Sequence, residues 1–356
     1  MKIGILTFHC AHNYGAVLQA YALQTYLNSI GNNVCIVNYR PKYIKNNIFA
    51  WYKWISLNPI KTYKKICWQR KTLIYQWKKR YAFKHFEKKY LNVKNINLSL
   101  SKNNIDCFIF GSDQIWRKSH NCFDPIYYGN FKGCKDKLLV SYAASMGLST
   151  LSTNEKLLLK KWLSSFSMIS VRESYLKELL LPLTSENIEI VVDPTFLLSK
   201  TSWEQIAISP NIDKQYILIY QVICNSSTYK MAYEVAKKFN LEIIEISSDF
   251  VIKDVDHKVI YDASPEEFLG WIKNANFIIT TSFHGTAFSL IFNKPFISIK
   301  QNMTSDLRIE SILSMCGQEK RFVNCNNIKW LSIYEEKPNV DFKFVNSSKE
   351  FLGKIN

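Results

Sequence analysis

Short apolar runs alternate with stretches of helical period along the first half of the chain. The runs are rich in β-branched and aromatic residues, which is typical of buried strands, and they cover residues 2–8, 34–39, 105–110, 138–145, 167–171 and 188–193. Between them, apolar positions recur at the helical period in residues 16–30, 154–165 and 174–181. Strands that alternate with helices predict a parallel sheet with right-handed crossovers.

A second alternation follows the polar stretch 201–214, which we interpret as a linker. Ser264, Pro265 and Glu267 mark a helix start, because serine caps the helix, proline fits its first position and glutamate closes a capping box. The pattern predicts an α/β fold of two Rossmann-like domains that face each other across a cleft. Its predicted parts are an N-terminal domain at residues 1–200, a C-terminal domain at 201–345 and a tail at 346–356 that is a candidate closing helix.

The most informative stretch, residues 276–300, has the pattern of a strand, a polar turn, an apolar helix and a second strand. In parallel sheets ligands bind at the carboxyl ends of the strands, where this turn is expected. The turn carries Ser282, His284 and Gly285, and the histidine is its one titratable side chain. A helix amino terminus favours the neutral imidazole near pH 7. A lone histidine is more often structural, but this position favours a functional one.

The composition is that of a globular protein, and it argues against several kinds of site. Nine scattered cysteines without a C-x-x-C pair favour reduced thiols in a cytoplasmic protein over disulfides or zinc. The six histidines have no ligand-like spacing, so we expect no metal. The first loop lacks G-x-G-x-x-G, which argues against a dinucleotide cofactor. No apolar run has the length of a signal peptide core or a membrane-spanning helix.

The positive charge is concentrated in residues 40–94, a predicted helical insertion in the N-terminal domain. This segment has sixteen lysines and arginines and one acid, Glu87, so it holds +15 of the net charge of +17. It also carries four tryptophans, at positions 51, 54, 68 and 77. Lysines interleaved with aromatic rings fit contact with an anionic membrane surface. A solvated helical hairpin is equally consistent, whereas nucleic acid is disfavoured because no nucleic-acid-binding motif accompanies the charge.

Six stretches, taken in order, resemble the polysaccharide pyruvyl transferase family, in a subgroup marked by NYGA and SFHG. They are HNYGAVLQAYALQTYL, FIFGSDQIW, SYAASMG, ISVRES, VVDPTFLL and TTSFHGTAFSLIFNKPFISI, and they lie within residues 1–200 and 258–316. The resemblance implies a GT-B-like pair of Rossmann domains. It also implies transfer of a pyruvyl group from phosphoenolpyruvate to a sugar of a cell-surface polysaccharide or its lipid-linked precursor, as a cyclic ketal.

That chemistry assigns candidate roles to the residues. The reaction needs proton transfer, for which His284 is the candidate acid or base, with Asp113 as the second candidate catalytic residue. Phosphoenolpyruvate carries a carboxylate and a phosphate, so cations should face it, and Arg172, Arg308 and Lys300 lie at loop ends on the expected cleft edge. Acceptor hydroxyls are the expected partners of Asp113 as well. The remaining candidate substrate-binding residues are Asn13, Gly15, Ser112, Ser282 and Gly285.

Each assignment has a structural alternative. Arg172 has Glu173 as a neighbouring ion-pair partner, and Arg308 has acids on its own helix. Lysines at strand ends are usually solvated, which applies to Lys300. A carboxylate such as Asp113 also caps a helix well, and an asparagine before glycine, such as Asn13, often serves a turn.

Two other functions remain open at the level of sequence. One is a GT-B-type glycosyltransferase that uses a nucleotide sugar, and the other is a non-catalytic, membrane-peripheral scaffold of polysaccharide assembly. The expected partners are a sugar or lipid-linked oligosaccharide and, through residues 40–94, an anionic membrane at the cytoplasmic face. We expect no cofactor besides phosphoenolpyruvate as donor substrate and no nucleic acid. The sequence leaves the acceptor sugar and the oligomeric state open.

Overall fold

The structure is a computed structural model that describes most of the chain. The described residues are 1–41, 43, 59–100, 103–119, 122–147, 150–222, 224–250, 253–303, 306–324, 333–334 and 336–355, without the side chains of 59–71. Two parallel sheets carry the fold, and the α/β class with two Rossmann-like domains is confirmed.

The first sheet has seven parallel strands in the order β3-β2-β1-β4-β5-β6-β7. Their bounds are β1 Lys2–Leu6, β2 Asn33–Val37, β3 Val93–Lys94, β4 Cys107–Phe110, β5 Leu138–Ala144, β6 Met168–Val171 and β7 Ile188–Ile190. Strand order reverses between β1 and β4, since β2 pairs with one edge of β1 and β4 with the other. Open parallel sheets bind ligands in the crevice at such a reversal.

Four helices with described bounds connect these strands. They are α1 Tyr14–Ser29, α2 Pro59–Tyr90, α3 Thr153–Leu163 and α4 Ser174–Leu180. Single 3₁₀ turns lie at Pro125–Tyr128, Lys132–Cys134, Leu181–Leu183 and Pro194–Leu197. The predicted strand 188–193 ends earlier, at Ile190, because Asp193 and Pro194 begin the last of these turns.

The second sheet repeats the same arrangement with six parallel strands in the order β10-β9-β8-β11-β12-β13. Its strands are β8 Tyr216–Gln221, β9 Glu242–Ser247, β10 Lys258–Ile260, β11 Phe277–Thr280, β12 Phe296–Ile299 and β13 Phe322–Val323. The strand order reverses between β8 and β11. The predicted βαβ unit at 276–300 therefore begins with β11, one of the two strands at this reversal.

Helices α5 Lys200–Ile206, α6 Ser226–Phe239, α7 Pro265–Asn274, α8 Phe283–Ile291, α9 Asp306–Met315 and α10 Val345–Gly353 complete the described regular structure, with 3₁₀ turns at Glu319–Arg321 and Phe342–Phe344. The capping box predicted at Ser264 is confirmed. The predicted linker 201–214 is wrong in its first half, because Ser199 caps α5 and Trp203 is fully buried there. Polar composition concealed this short helix, whose apolar contact is one tryptophan.

The C-terminal helix α10 packs back on the first domain. Ser348 accepts a hydrogen bond from the backbone N–H of Val192 at 3.0 Å, and the ring of Phe351 lies 6.2 Å from that of Tyr142. Both Ser348 and Phe351 are buried. The chain therefore returns to the sheet on which it began.

Helix α2 bridges the two domains through side chains of its residues 72–90. On the first domain, the Phe83 ring lies 5.2 Å from that of Tyr14. On the second domain, Tyr75 stacks on Tyr261 at 5.1 Å, and the ammonium of Lys79 donates to the carbonyl of Ser247 at 3.3 Å. Burial lowers the pKa of Lys79 to about 8. This half of the basic insertion is thus packed against the protein on one face, and residues 44–58 lie outside the described part.

Among the described residues, no helix is both long and apolar enough to cross a bilayer.

Candidate functional site

The first turns of α1 and α8 meet where the two domains come together. Gly15 is the second residue of α1, and His284 is the second residue of α8. A Cβ atom placed on Gly15 would lie 1.9 Å from Nδ1 of His284, so the imidazole packs directly on the glycine backbone. Helix amino termini carry partial positive charge and unpaired N–H groups, and two of them converge here. The meeting point is therefore suited to an anion.

His284 is buried among charged groups of both domains. It is 7% exposed, and its Nε2 atom has no hydrogen-bond partner among the described residues. Burial lowers the pKa of His284 below its usual value, and Arg172 and Arg308 act in the same direction, whereas Asp193 and Asp113 raise it. The imidazole is thus held mainly neutral, as expected, but burial is the leading cause. A neutral imidazole can accept a proton near pH 7.

Asp193 connects the charged groups of the site. Its Oδ2 atom accepts hydrogen bonds from Arg172 at 2.6 Å and from the hydroxyl of Ser112 at 3.2 Å, and it lies 3.8 Å from Nε2 of His284. Its Oδ1 atom accepts from the backbone and the hydroxyl of Thr195. Burial alone would raise the pKa of Asp193, but His284, Arg172 and the bonds from Thr195 hold it below its usual value. The carboxylate is therefore charged and fixed in place.

Arg172 is a buried cation with one free donor. Its guanidinium donates to Glu173 at 3.2 Å as well as to Asp193, while its Nη2 has no partner among the described residues. Burial by itself would lower the pKa of Arg172, but Glu173, Asp193 and Asp113 raise it. The guanidinium carbon lies 4.6 Å from the centroid of the Phe283 ring. Arg172 is thus charged, held from two sides and able to bind one more acceptor.

Arg308, on α9, comes to the same aromatic ring. Its guanidinium carbon lies 6.0 Å from the centroid of Phe283, and its buried Nε has no partner among the described residues. Burial lowers the pKa of Arg308, and the nearby charge of Arg172 lowers it further, while Asp113 and Glu173 raise it. Two guanidinium groups therefore face one ring, although they repel each other. A bound anion would relieve that repulsion.

Asp113 follows β4 in a turn that only glycine permits. Gly111 has a φ of 135°, and a Cβ there would lie 2.0 Å from the carbonyl oxygen of Tyr142. Asp113 has a φ of 74°, and its Oδ1 accepts from the backbone of Gln114 at 2.8 Å. Its charge raises the pKa of His284 and of the neighbouring arginines. The carboxylate therefore lies on the same side of the crevice as these cations.

Asn13 and Ser282 have structural tasks in addition to their predicted ones. The Oδ1 of Asn13 caps α1 by accepting from the backbone of Gly15 at 2.9 Å. The Oγ of Ser282 caps α8 by accepting from the backbone of Gly285 at 3.4 Å. A Cβ on Gly285 would lie 2.2 Å from Oγ1 of Thr280, so this glycine lets α8 begin close to its strand. The two caps fix the helix termini that meet at His284.

A profile of one protein family matches most of the chain. It is that of polysaccharide pyruvyl transferases, it spans residues 13–302, and it includes every candidate site residue except Arg308. The chain belongs to the polysaccharide pyruvyl transferase family. Among curated proteins, none matches this chain significantly.

Solved structures with the GT-B arrangement resemble this family member in fold. A protein from Listeria monocytogenes described as a UDP-N-acetylglucosamine 2-epimerase superposes with a TM-score of 0.54 at 8% identity, over 99% of this chain and 94% of that one. The UDP-GlcNAc 2-epimerase of Methanocaldococcus jannaschii gives 0.51 at 13% identity, over 100% and 99%. At these identities the likeness concerns the fold, which is therefore GT-B-like.

Lys300, a predicted site residue, lies outside the charged cluster around His284 in this pyruvyl transferase family member. It follows β12, and its ammonium lies 4.9 Å from the ring centroid of Phe322, on the edge strand β13. Its charge is therefore directed toward the sheet edge.

The sequence predicted no role for Asp193 or Phe283, and it indicated Glu173 only as an ion-pair partner of Arg172. Glu173 is 1% exposed, and its Oε2 has no partner among the described residues. A signal was available for Asp193, because a carboxylate directly follows the apolar run IEIVV and precedes proline. Phe283 offered none, since an aromatic residue beside a buried strand usually belongs to the core.

Proposed function

We propose that this protein transfers a pyruvyl group from phosphoenolpyruvate to a sugar of a cell-surface polysaccharide or its lipid-linked precursor, forming a ketal. The observation that carries the proposal is the grouping of His284, Arg172 and Arg308, each with a buried nitrogen that has no partner among the described residues. Buried donors or acceptors without partners cost about 1–3 kcal/mol each, so their grouping at one place favours a ligand. Family membership points to the same reaction class.

The reaction balances in atoms and protons, and this cluster supplies its base. The methylene carbon of phosphoenolpyruvate takes a proton, one sugar hydroxyl adds to the neighbouring carbon, and a second hydroxyl displaces phosphate. Of the two hydroxyl protons, one replaces the proton given to carbon and the other leaves with phosphate. His284 accepts a hydroxyl proton, because burial keeps its imidazole neutral. Asp193, 3.8 Å away, stabilises the imidazolium that forms.

The donor's charges match the two arginines. Phosphoenolpyruvate carries a carboxylate and a phosphate, and guanidinium groups bind such oxyanions through charge-assisted hydrogen bonds. Arg172 offers Nη2 and Arg308 offers Nε, with Phe283 between them as a shared contact. The first turns of α1 and α8 add the favourable ends of two helix dipoles.

Binding of phosphoenolpyruvate tests the donor. We expect it to raise the melting temperature of the full chain, since a ligand at ~100 times its dissociation constant adds ~2.7 kcal/mol. Replacement Arg308→Gln should weaken binding by roughly 10- to 100-fold, because one charge-assisted hydrogen bond contributes about 1.5–3 kcal/mol. The matched control is Lys214→Gln, which removes an exposed cation paired with Glu242. Titration calorimetry gives the affinities.

The contrary result would be a stabilising shift with UDP- or CMP-sugars and none with phosphoenolpyruvate. That outcome would favour the glycosyltransferase alternative, for which the GT-B-like fold is also suitable.

We also propose that the exposed face of α2 contacts an anionic membrane at its cytoplasmic side. Trp77 and Tyr81 are 67% and 63% exposed and stack on each other at 5.9 Å, one helical turn apart. Exposed Lys84 and Lys88 continue the same stripe along the helix. Aromatic rings at headgroup depth with lysines toward anionic lipid are typical of interfacial helices.

Liposome flotation tests this contact. The variant Trp77→Ser/Tyr81→Ser/Lys84→Gln/Lys88→Gln should bind vesicles with 30 mol% phosphatidylserine at least about 10-fold more weakly than the unaltered protein, because each lysine near the surface contributes about 1 kcal/mol. Lys237→Gln/Lys238→Gln, two exposed lysines on α6, is the control and should float normally. Equal flotation of the α2 variant would reject the membrane contact.

A further inference from the structure

The two sheets have equivalent crevices at their strand-order reversals, and the first is closed by its own side chains. Between β1 and β4, Gln19 donates to Oγ1 of Thr7 at 2.7 Å and to the carbonyl of Ala16 at 2.9 Å. Its Oε1 accepts from the backbone N–H of Ser112, and the Thr7 hydroxyl donates to the Ser112 carbonyl. Each of these polar groups is satisfied within the protein. Gln19, Thr7 and the Ser112 backbone therefore have no donor left for a ligand.

The second crevice, between β8 and β11, has donors without partners. Gln221 ends β8 and is 2% exposed; its Oε1 accepts from the backbone N–H of Asn225 at 2.9 Å, which fixes the amide at the cap of α6. Its Nε2 has no partner among the described residues. The hydroxyl of Thr228, in the first turn of α6 and fully buried, also has none there. Two side-chain donors thus lie at one helix amino terminus.

The charges around this terminus are balanced. Glu245, on β9, is fully buried, but it accepts hydrogen bonds from Lys253 at 2.5 Å, from His257 at 3.1 Å and from the Tyr229 hydroxyl. Its charge is therefore compensated locally. Helix α6 has fourteen residues, so its dipole favours an anion at the end where Gln221 lies.

This terminus lies beside the site at His284. The backbone N–H of Val222, directly after β8, donates to the hydroxyl of Thr281, directly after β11, at 3.2 Å. Since β8 and β11 are neighbouring parallel strands, α6 and α8 both begin at the carboxyl edge of this sheet, one on each of its faces.

We propose that the crevice at the amino terminus of α6 binds a phosphate group of the acceptor, which is a sugar joined to a diphosphate carrier. The inference rests on the proposed function in placing the sugar between this phosphate and His284. A glycosyl diphosphate is the chemistry recognised, and its carrier is either a nucleoside or a polyprenyl lipid. Gln221 and Thr228 donate to phosphate oxygens, and the α6 dipole stabilises their charge.

Pyrophosphate is the probe, and its affinity for the full chain is measured by titration calorimetry without phosphoenolpyruvate. The unaltered protein should bind it, and Gln221→Glu should reduce the affinity at least ~10-fold, because it keeps the acceptor for the Asn225 N–H and adds a repelling charge. Thr228→Val should also weaken binding, whereas Thr228→Ser should retain it. Thr153→Val, on the surface of α3, is the control.

Two results would overturn the proposal. One is absence of pyrophosphate binding to the unaltered protein. The other is equal affinity in Gln221→Glu and Thr228→Val, with thermal unfolding as the check on folding; these residues would then have a structural task only. Competition of UDP or farnesyl diphosphate with pyrophosphate identifies the carrier. The stronger competitor shows whether the carrier is a nucleoside or a polyprenyl lipid.

Phosphoenolpyruvate separates this inference from the proposed function. Saturating phosphoenolpyruvate should leave pyrophosphate binding intact, and Gln221→Glu should leave phosphoenolpyruvate binding intact. Mutual exclusion of the two ligands would assign the crevice to the donor's phosphate and overturn the inference. A failure of the proposed donor gives a different result, because pyrophosphate would still bind while phosphoenolpyruvate would not.

Discussion

Replacing His284 by alanine is expected to lower pyruvyl transfer by ~100-fold or more while the fold is kept, because the variant lacks the proton acceptor. The assay incubates the protein with phosphoenolpyruvate and the lipid-linked saccharide fraction of producing cells. Pyruvate is then released from its ketal by mild acid and quantified, and phosphate release is followed in parallel. Lys214→Ala, at an exposed position paired with Glu242 in the second domain, is the control and should keep full activity.

The same histidine sets the expected pH dependence. Since burial lowers the pKa of His284 below 6.5, its neutral form persists at pH values where a free imidazole is protonated. Activity should therefore stay constant down to below pH 6.5 and fall only under further acidification. A variant His284→Ala with unaltered transfer, or an activity that rises as the pH falls through 6.5, would remove His284 as the base.

Replacing Gly15 by alanine is expected to abolish most activity, although it adds a single methyl group. Within a helix, alanine instead of glycine normally stabilises by about 0.5–1 kcal/mol. Here the new Cβ would lie 1.9 Å from Nδ1 of His284, and overpacking of this kind costs about 1–3 kcal/mol. The imidazole must move, and a displacement of about 1 Å at a reacting group lowers the rate by ~100-fold.

The measurement for Gly15→Ala combines the ketal assay with thermal unfolding. Gly353→Ala is the matched control, because a Cβ on this glycine of α10 meets nothing within 4 Å, and it should be neutral or slightly stabilising. If Gly15→Ala were as active as the unaltered protein, the close packing of the two helix starts would have no part in the reaction.

Much of the fold follows from local pattern. Buried strands such as β1 and β4 are continuous apolar runs, and helix starts such as Ser264 carry capping residues whose effect is independent of the rest of the chain. Ser282 and His284 could be placed at a sheet edge for the same reason, since a strand ends immediately before them. Helix α5 could not be predicted from the sequence, because its seven mostly polar residues contain one buried tryptophan and so show no helical spacing of apolar residues.

The site itself depends on contacts that no local pattern encodes. Asp193 bonds to Ser112, 81 positions away, and lies against His284 from the other domain. Only the docking of the domains brings these groups together. Likewise, Lys79 has the sequence neighbours of a solvated lysine, and it is 2% exposed because α2 lies against both domains. The number of charges in the segment is therefore visible in the sequence. Which of its cations face water depends on how the helix packs.

The continuous α2 helix limits how the two domains can separate. Its Phe83 packs on Tyr14 of one domain, while Lys79 and Tyr75, about one and two turns earlier, contact the other domain. A helix that contacts both domains resists their rotation about a hinge until one of the two sets of contacts breaks. Substrate entry that requires wider opening must therefore break the contacts of this helix with Tyr261 and Ser247.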